Sequence, residues 1–329
     1  MSPAPGTRTQ PRTMDELQRK PLAFSSDKSL ISASSRIPLE TSDGQLLNVE
    51  LFCYSNANGE SPILLHAHGV CESNETLGLQ AIVEAARFVG VKVAALELEG
   101  HGLSDGNMNG SFEKHLRHVL EFVGHSMRAT GADAPYFLCG NSLGGVLSLY
   151  AAEVISGDRD AYPPNFKGVA TICPAVGVDP RVVPSEPVVF ALSVLSGIAP
   201  SLQVALTPFE DPSSYSCPPD TDRNFEGHWP LATSKMLLDV TSKMVKADLV
   251  TGKLSLKSAN NVLTIAGKKD HTVPFDVVKA FHDFVSPTSK EFFPANAGHD
   301  MMFRENSAKV ATDRLFSWIA SILGTNTIS

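Results

Sequence analysis

Residues 136–147 read Tyr136-Phe137-Leu138-Cys139-Gly140-Asn141-Ser142-Leu143-Gly144-Gly145-Val146-Leu147, and the fold follows from what this run can become. Its first four residues are apolar and strand-like. From Leu143 to Ile155 the pattern is helical. The turn between them is Gly-x-Ser-x-Gly. A serine on so sharp a strand–turn–helix sits in strained backbone, and glycines on either side let neighbouring main chain pass closely. The helix start behind Ser142 adds a dipole that favours developing negative charge. A glycine-rich turn can also serve only to pack a helix on a sheet, as in nucleotide-binding folds. However, the chain has neither Gly-x-Gly-x-x-Gly nor a P-loop lysine.

A serine hydroxyl is a poor nucleophile until a base takes its proton, and the base needs a third group to orient it. On a strand–turn–helix of this kind the partners follow in the order Ser, Asp, His, at the carboxyl ends of later strands. Asn261–Ala266 is such a strand, and Gly267-Lys268-Lys269-Asp270-His271 leaves its end. Asp270 is therefore the expected acid. Asp276 is its rival but stands where the next helix begins, and reads better as a helix N-terminal charge. After the strand Glu291–Phe293 comes Ala297-Gly298-His299-Asp300, which makes His299 the expected base. His115, His118 and His125 share one helix and read as surface residues, His282 is helical, and His271 comes too early in the chain.

Acyl-transfer chemistry also needs two backbone N–H groups aimed at one point, one after the nucleophile and one from the loop after the third strand. That selects Leu143 and Val70, the latter within His66-Ala67-His68-Gly69-Val70-Cys71. His66 and His68 alternate on one strand face, but no third ligand stands near them in sequence, so no metal is expected. They read as hydrogen-bonding partners of the loops around the site.

Working outward, Ser35–Glu40 and Leu46–Tyr54 are strand-like and joined by Asp43-Gly44, a good hairpin turn. Strands then alternate with helices: strand Ile63–Ala67, helix Glu75–Val89, strand Val91–Leu98, helix Ser111–Thr130, the nucleophile unit, and strand Lys167–Cys173. Helix Phe275–Val285 and a final helix Asn306–Ile322 complete the series. Such alternation predicts an α/β fold, a mostly parallel sheet with helices on both faces. It breaks at about residues 175–250, rich in Pro and Ser, which reads as an inserted cap. There Val188–Leu195 is apolar nearly all round. Such a helix either admits an acyl chain or dips into a membrane surface, or simply packs on the core. Val188, Phe190, Leu192 and Leu195 are its expected substrate contacts, with Asn141 beside the nucleophile. A second cap helix, Leu231–Leu249, puts Met236, Leu237, Val240, Met244 and Val245 on one stripe, which reads as core packing.

Residues 1–33, rich in Pro, Thr and Arg near their start, predict a disordered tail ahead of a catalytic domain over 34–329. The tail has no apolar core for a secretory signal. Arg8, Arg12 and Arg19 would suit an organelle transit peptide, but Asp15 and Glu16 count against one. The 329 residues carry 27 basic and 35 acidic side chains, a net charge of -8, so no general field attracts nucleic acid. Five scattered cysteines without a Cys-x-x-Cys pair suggest a reducing compartment, hence the cytoplasm. No stretch is long enough to span a membrane.

His68-Gly69, Glu97-Leu98-Glu99-Gly100-His101-Gly102-Leu103-Ser104-Asp105-Gly106, Gly140-Asn141-Ser142-Leu143-Gly144-Gly145 and Gly298-His299 together resemble the monoacylglycerol lipase and lysophospholipase branch of the α/β hydrolases. That branch is often labelled serine aminopeptidase-like. The resemblance covers about residues 35–325. It implies the eight-stranded α/β-hydrolase fold and a serine carboxylester hydrolase that acts, without a cofactor, on monoacylglycerols, lysophospholipids or similar long-chain esters. Peripheral membrane contact through the cap would accompany such a substrate. The chain departs from the family at Val70-Cys71-Glu72-Ser73, at Asn141 and through the cap at 202–230. Amide or thioester cleavage by the same residues, and a hydrolase-fold ligand receptor, are the alternative readings.

Overall fold

Long apolar runs with few polar interruptions become strands buried on both faces, and such strands make the centre of the sheet. In a computed structural model, residues 33–54, 57–70, 72–107, 110–131, 133–205 and 228–324 are described. The expected N-terminal tail, Cys71, Cys217 and the middle of the cap lie outside them. The main strands are β1 (Ala33–Arg36), β4 (Val49–Cys53), β5 (Ile63–Ala67), β6 (Lys92–Leu96), β7 (Tyr136–Asn141), β8 (Phe166–Ile172), β11 (Asn261–Gly267) and β12 (Ser289–Ala295). They form one eight-stranded sheet in the order β1-β4-β6-β5-β7-β8-β11-β12. β1 and β4 pair antiparallel, as do β4 and β6; the remaining pairs are parallel. β2 (Leu39–Glu40) and β3 (Leu46–Leu47) make a short hairpin. Its Gly44 has φ +78°, the conformation that a Thr-Ser-Asp-Gly turn needs glycine to supply.

Side chains alternate across each strand, so neighbours in sequence enter different cores. Leu65 and Leu138 face the core beneath α2 (Phe112–Thr130), α3 (Ser142–Gly157) and α7 (Phe275–Phe284). Leu64 and Phe137 face the core beneath α1 (Leu77–Val89) and α8 (Glu305–Leu323). There the rings of Phe137 and Trp318 meet edge to face at 5.6 Å, tying α8 to the centre of the sheet. Each fully buried Leu or Phe contributes about 1.5–3 kcal/mol of transfer free energy, so these two layers carry the fold.

Between β8 and β11 the described cap comprises α4 (Glu186–Ile198), β9 (Gln203–Ala205), β10 (His228–Pro230) and a helix in three parts. Those parts are α5 (Leu231–Asp239), a π-helical turn (Val240–Met244) and α6 (Val245–Thr251). The apolar stripe of this helix packs as expected: Met236, Val240 and Val245 are buried, with Leu237 and Met244 against them. β9 and β10 pair antiparallel, a ribbon of three-residue strands too short to leave a pattern in sequence.

One expectation fails on α2. His115 and His118 are buried, not on the surface. The buried face runs through Phe112, His115, His118, Val119, Phe122, Val123, Ser126 and Met127, which leaves Leu116 and Leu120 only partly covered. The helix has turned toward charged partners that are distant in sequence. Burial pushes His115 down to about 3, so its ring is neutral.

Two other buried histidines carry a pH prediction. Burial holds His66 on β5 down at about 3 and His282 on α7, bonded to Thr264 Oγ1 at 3.0 Å, down at about 4. The unfolded chain binds protons near pH 6.5 that the folded chain refuses. Stability from these groups is thus complete above that pH and falls as pH drops toward their folded values. A urea titration at pH 7 and at pH 5 is expected to show a loss of up to about 2 kcal/mol per group. His282→Gln is expected to shrink that difference.

Candidate active site

β7 ends at Asn141 and α3 begins at Ser142 with no residue between them. Ser142 accordingly has φ +50°, a left-handed conformation costing about 1–2 kcal/mol for a residue with a Cβ. Packing holds it there. A Cβ at Gly140 would lie 2.2 Å from the Gly144 carbonyl oxygen, and one at Gly144 would lie 2.1 Å from that of Ala67 and 2.4 Å from that of His68. These are backbone atoms that cannot rotate away. Gly144→Ala is therefore expected to cost about 2–4 kcal/mol and to push the loop after β5 off the serine. Thermal unfolding checks the first effect, and a fall in esterase rate at temperatures well below the transition checks the second.

His299 follows β12, and Asp270 follows β11. The parallel sheet places both strand ends beside the end of β7, so residues 128 and 157 positions from Ser142 meet it. Ser142 Oγ lies 3.0 Å from His299 Nε2, and His299 Nδ1 lies 2.8 Å from Asp270 Oδ2. With the proton on Nδ1 the ring donates to Asp270 and accepts from the serine hydroxyl. Asp270 Oδ1 accepts the N–H groups of Thr272, at 2.9 Å, and Val273, at 2.7 Å. Its carboxylate is thereby fixed with one oxygen turned to the imidazole. The Asp270 side chain is 1% exposed and that of His299 19%, so the imidazole opens toward solvent while the carboxylate does not. Asp276 stands apart, in the first turn of α7.

Leu143 N–H belongs to the first turn of α3, where no i−4 carbonyl exists to accept it. The loop after β5 lies against the serine. A Cβ on Gly69 would come within 3.0 Å of Ser142 Cβ, so Gly69, the residue before Val70, lies against the serine. His68 braces this loop: its Nδ1–H donates to the Gly69 carbonyl at 2.7 Å, and its Nε2 accepts the Leu98 N–H at 3.1 Å. The ring is neutral, burial holding it well below the usual range.

Asn141 is buried, and its amide donates to the carboxylate of Glu72, also buried. Glu72 was not among the residues selected from sequence, because its partner lies 69 positions away. Cys173, at the end of β8 with φ +45°, is a second omission. Its sulfur, an Asp270 oxygen and a His299 nitrogen all lie within 4.8 Å of one another. In the cap, Val188 is 52% exposed, Phe190 72% and Leu195 46%; Leu192 is partly covered. α4 has no buried residue, so it is not simply packed on the core. None of the described helices is long and apolar enough to cross a membrane.

Residues 60–306 match the family described as serine aminopeptidase, S33. A monoacylglycerol lipase of Mycolicibacterium smegmatis is 26% identical over 254 residues, 73% of this chain and 82% of the relative. Among solved structures, the monoacylglycerol lipase of Paleococcus ferrophilus superposes with TM-score 0.62 at 20% identity, over 84% of this chain and 99% of that one. Est1E of Butyrivibrio proteoclasticus with bound ferulic acid superposes with TM-score 0.60 at 16% identity, over 88% of this chain and all of that one. With a family match spanning well over half its length and an eight-stranded sheet of this order, the chain belongs to the serine aminopeptidase S33 family of α/β hydrolases and is a hydrolase similar to monoacylglycerol lipases.

Proposed function

We propose that this enzyme cleaves long-chain carboxylic esters, monoacylglycerols or lysophospholipids in particular, through an acyl-enzyme on Ser142. The observation that carries the reading is the hydrogen-bonded chain from Ser142 to His299 to Asp270, at 3.0 and 2.8 Å. In this scheme His299 Nε2 takes the hydroxyl proton as Ser142 Oγ attacks the ester carbonyl. The oxyanion is held by the N–H groups of Leu143 and Val70. His299 then returns the proton to the leaving alcohol, and the ester C–O bond breaks. A water activated by the same imidazole releases the fatty acid, and Asp270 stabilises the imidazolium in both halves.

The long-chain preference rests on the likeness to monoacylglycerol lipases and on α4. Phe190, Val188 and Leu195 are exposed, and we assign them to contact with the surface of a lipid aggregate; Leu192, partly covered, we assign to the acyl chain. Asn141, whose amide donates to Glu72, we assign to the substrate pocket beside Ser142. A panel of esters varied in acyl length and head group, assayed on wild type and Ser142→Ala, tests the reading. Rates are expected to rise with acyl length to the monoacylglycerol range, and a fluorophosphonate probe is expected to label wild type alone. An unlabelled wild type would overturn the acyl-enzyme, whereas a preference for acetyl esters would overturn only the lipid substrate.

A further inference from the structure

The buried histidines of α2 have a vacancy in their chemistry that the ester-cleaving site does not use. His115 and His118, 2% and 0% exposed, each leave Nδ1 without a hydrogen-bond partner among the described residues. A buried polar atom left so is destabilising, and two of them on adjacent rings call for an explanation. Facing them is the carboxylate of Glu99, whose side chain is 3% exposed. One ligand atom from each of Glu99, His115 and His118 lies within 4.8 Å of the others.

We propose that Glu99, His115 and His118 form a binding site for a zinc-like divalent cation that pins the loop after β6 to α2. Two imidazoles and one carboxylate are a common ligand set for zinc and its neighbours. His118 also shows the arrangement that orients a metal-binding imidazole. Its Nε2 donates to Asp43 Oδ1 at 3.0 Å, which leaves Nδ1, without a partner among the described residues, as the nitrogen available to a cation. Donor atoms of a tetrahedral zinc stand about 3.3 Å apart, so closing the site asks for side-chain adjustments of about 1–1.5 Å.

The charged groups around the site are Asp43, Glu99, Lys114 and Arg117, whose guanidinium lies 3.7 Å from Asp43 Oδ2. Lys114 Nζ lies 2.8 Å from Glu99 Oε2 and 3.3 Å from Asp43 Oδ2. Its ammonium is the counter-ion when no metal is bound. With its side chain 24% exposed, it can turn to Asp43 and solvent when one arrives. Gly110 fits the pocket floor: a Cβ there would sit 3.0 Å from Glu99 Oε2 and 3.1 Å from His115 Nε2. The effect reaches the active site mechanically. The Glu99 carbonyl accepts from His101 Nδ1 at 3.0 Å, and the His101 ring packs edge-on at 4.9 Å against His68, which braces Gly69.

The test is a thermal-unfolding titration with Zn²⁺, and with Mg²⁺ as the hard-cation control. It is run on the full chain carrying Cys173→Ser, which removes the Cys173–Asp270–His299 group as a competing site. Zn²⁺ at a hundred times its Kd is expected to raise the folding constant about a hundredfold, and Mg²⁺ to leave it unchanged. Glu99→Gln and His115→Ala are each expected to abolish the zinc response. Independently, one equivalent of Co²⁺ is expected to give the d–d absorption of a four-coordinate nitrogen–oxygen site, and His118→Asn to remove it. The cobalt spectrum decides the matter should a variant not fold. No zinc shift and no cobalt band in the parent, or a zinc shift that survives in both variants, would overturn the proposal.

Discussion

With Ser142 as the proposed nucleophile, Ser142→Ala is expected to lower kcat by about 10⁵–10⁶, because the change would also idle the base proposed to serve it. A remnant of roughly 10³ over the uncatalysed rate would persist, since the N–H groups of Leu143 and Val70 and the substrate pocket are untouched. The fold is expected to survive. The Oγ that is lost bonds only into the site, and alanine meets the same φ of +50° with no greater Cβ strain. Burst titration with a chromogenic ester and urea denaturation of the same preparation separate the two outcomes. Retention of more than about one part in a thousand of the activity would place the nucleophile elsewhere.

Asp270→Asn is expected to be nearly as damaging, with a loss of about 10⁴ in kcat, for a reason visible in the loop after β11. The Oδ1 position accepts two backbone N–H groups, from Thr272 and Val273. An asparagine must put its carbonyl oxygen there, which turns its NH₂ toward His299 Nδ1. The imidazole then accepts at Nδ1 and carries its proton on Nε2, the nitrogen that has to receive the proton of Ser142. Asp270→Ala imposes no such tautomer and is expected to retain more activity than Asp270→Asn. Comparing the two variants at constant pH checks this. Equal activities would mean that Asp270 acts through charge alone.

The parts of the site that were legible in sequence are those whose signal is local. Tyr136–Leu147 carries its own strand, turn and helix, and Asp270 and His299 each follow a recognisable strand end. Parallel strands do the rest by delivering those ends to one edge. Glu72 was not legible, since its partner Asn141 is brought to it only by the sheet. His115 and His118 misled for a related reason. Periodicity alone marks Leu116, Val119, Leu120 and Val123 as the apolar face of α2, and Val119 and Val123 are buried, whereas Asp43 and Glu99, arriving from two other segments, make a polar interior beside them. In the cap, helices long enough to show a stripe were readable, and the β9–β10 ribbon was not.

The attachment of the cap has an engineering consequence. The chain leaves the sheet after Ile172 and re-enters at Asn261, on two strands that are direct parallel neighbours. Ser142, Asp270 and His299 depart from β7, β11 and β12, all of which belong to the same hydrogen-bonded rail. Everything between the two attachment points is therefore suspended from adjacent pegs, like a handle from a case. Outside the stretch that packs into the core, from Met236 and Val240 to Leu256 and Ala259, its length and composition can change without altering the strand register that sets the spacing of Ser142, Asp270 and His299. Grafting the cap of another family member between these pegs should exchange substrate preference while leaving the rate of phosphonylation of Ser142 by a small, unbranched probe within a few-fold of its starting value.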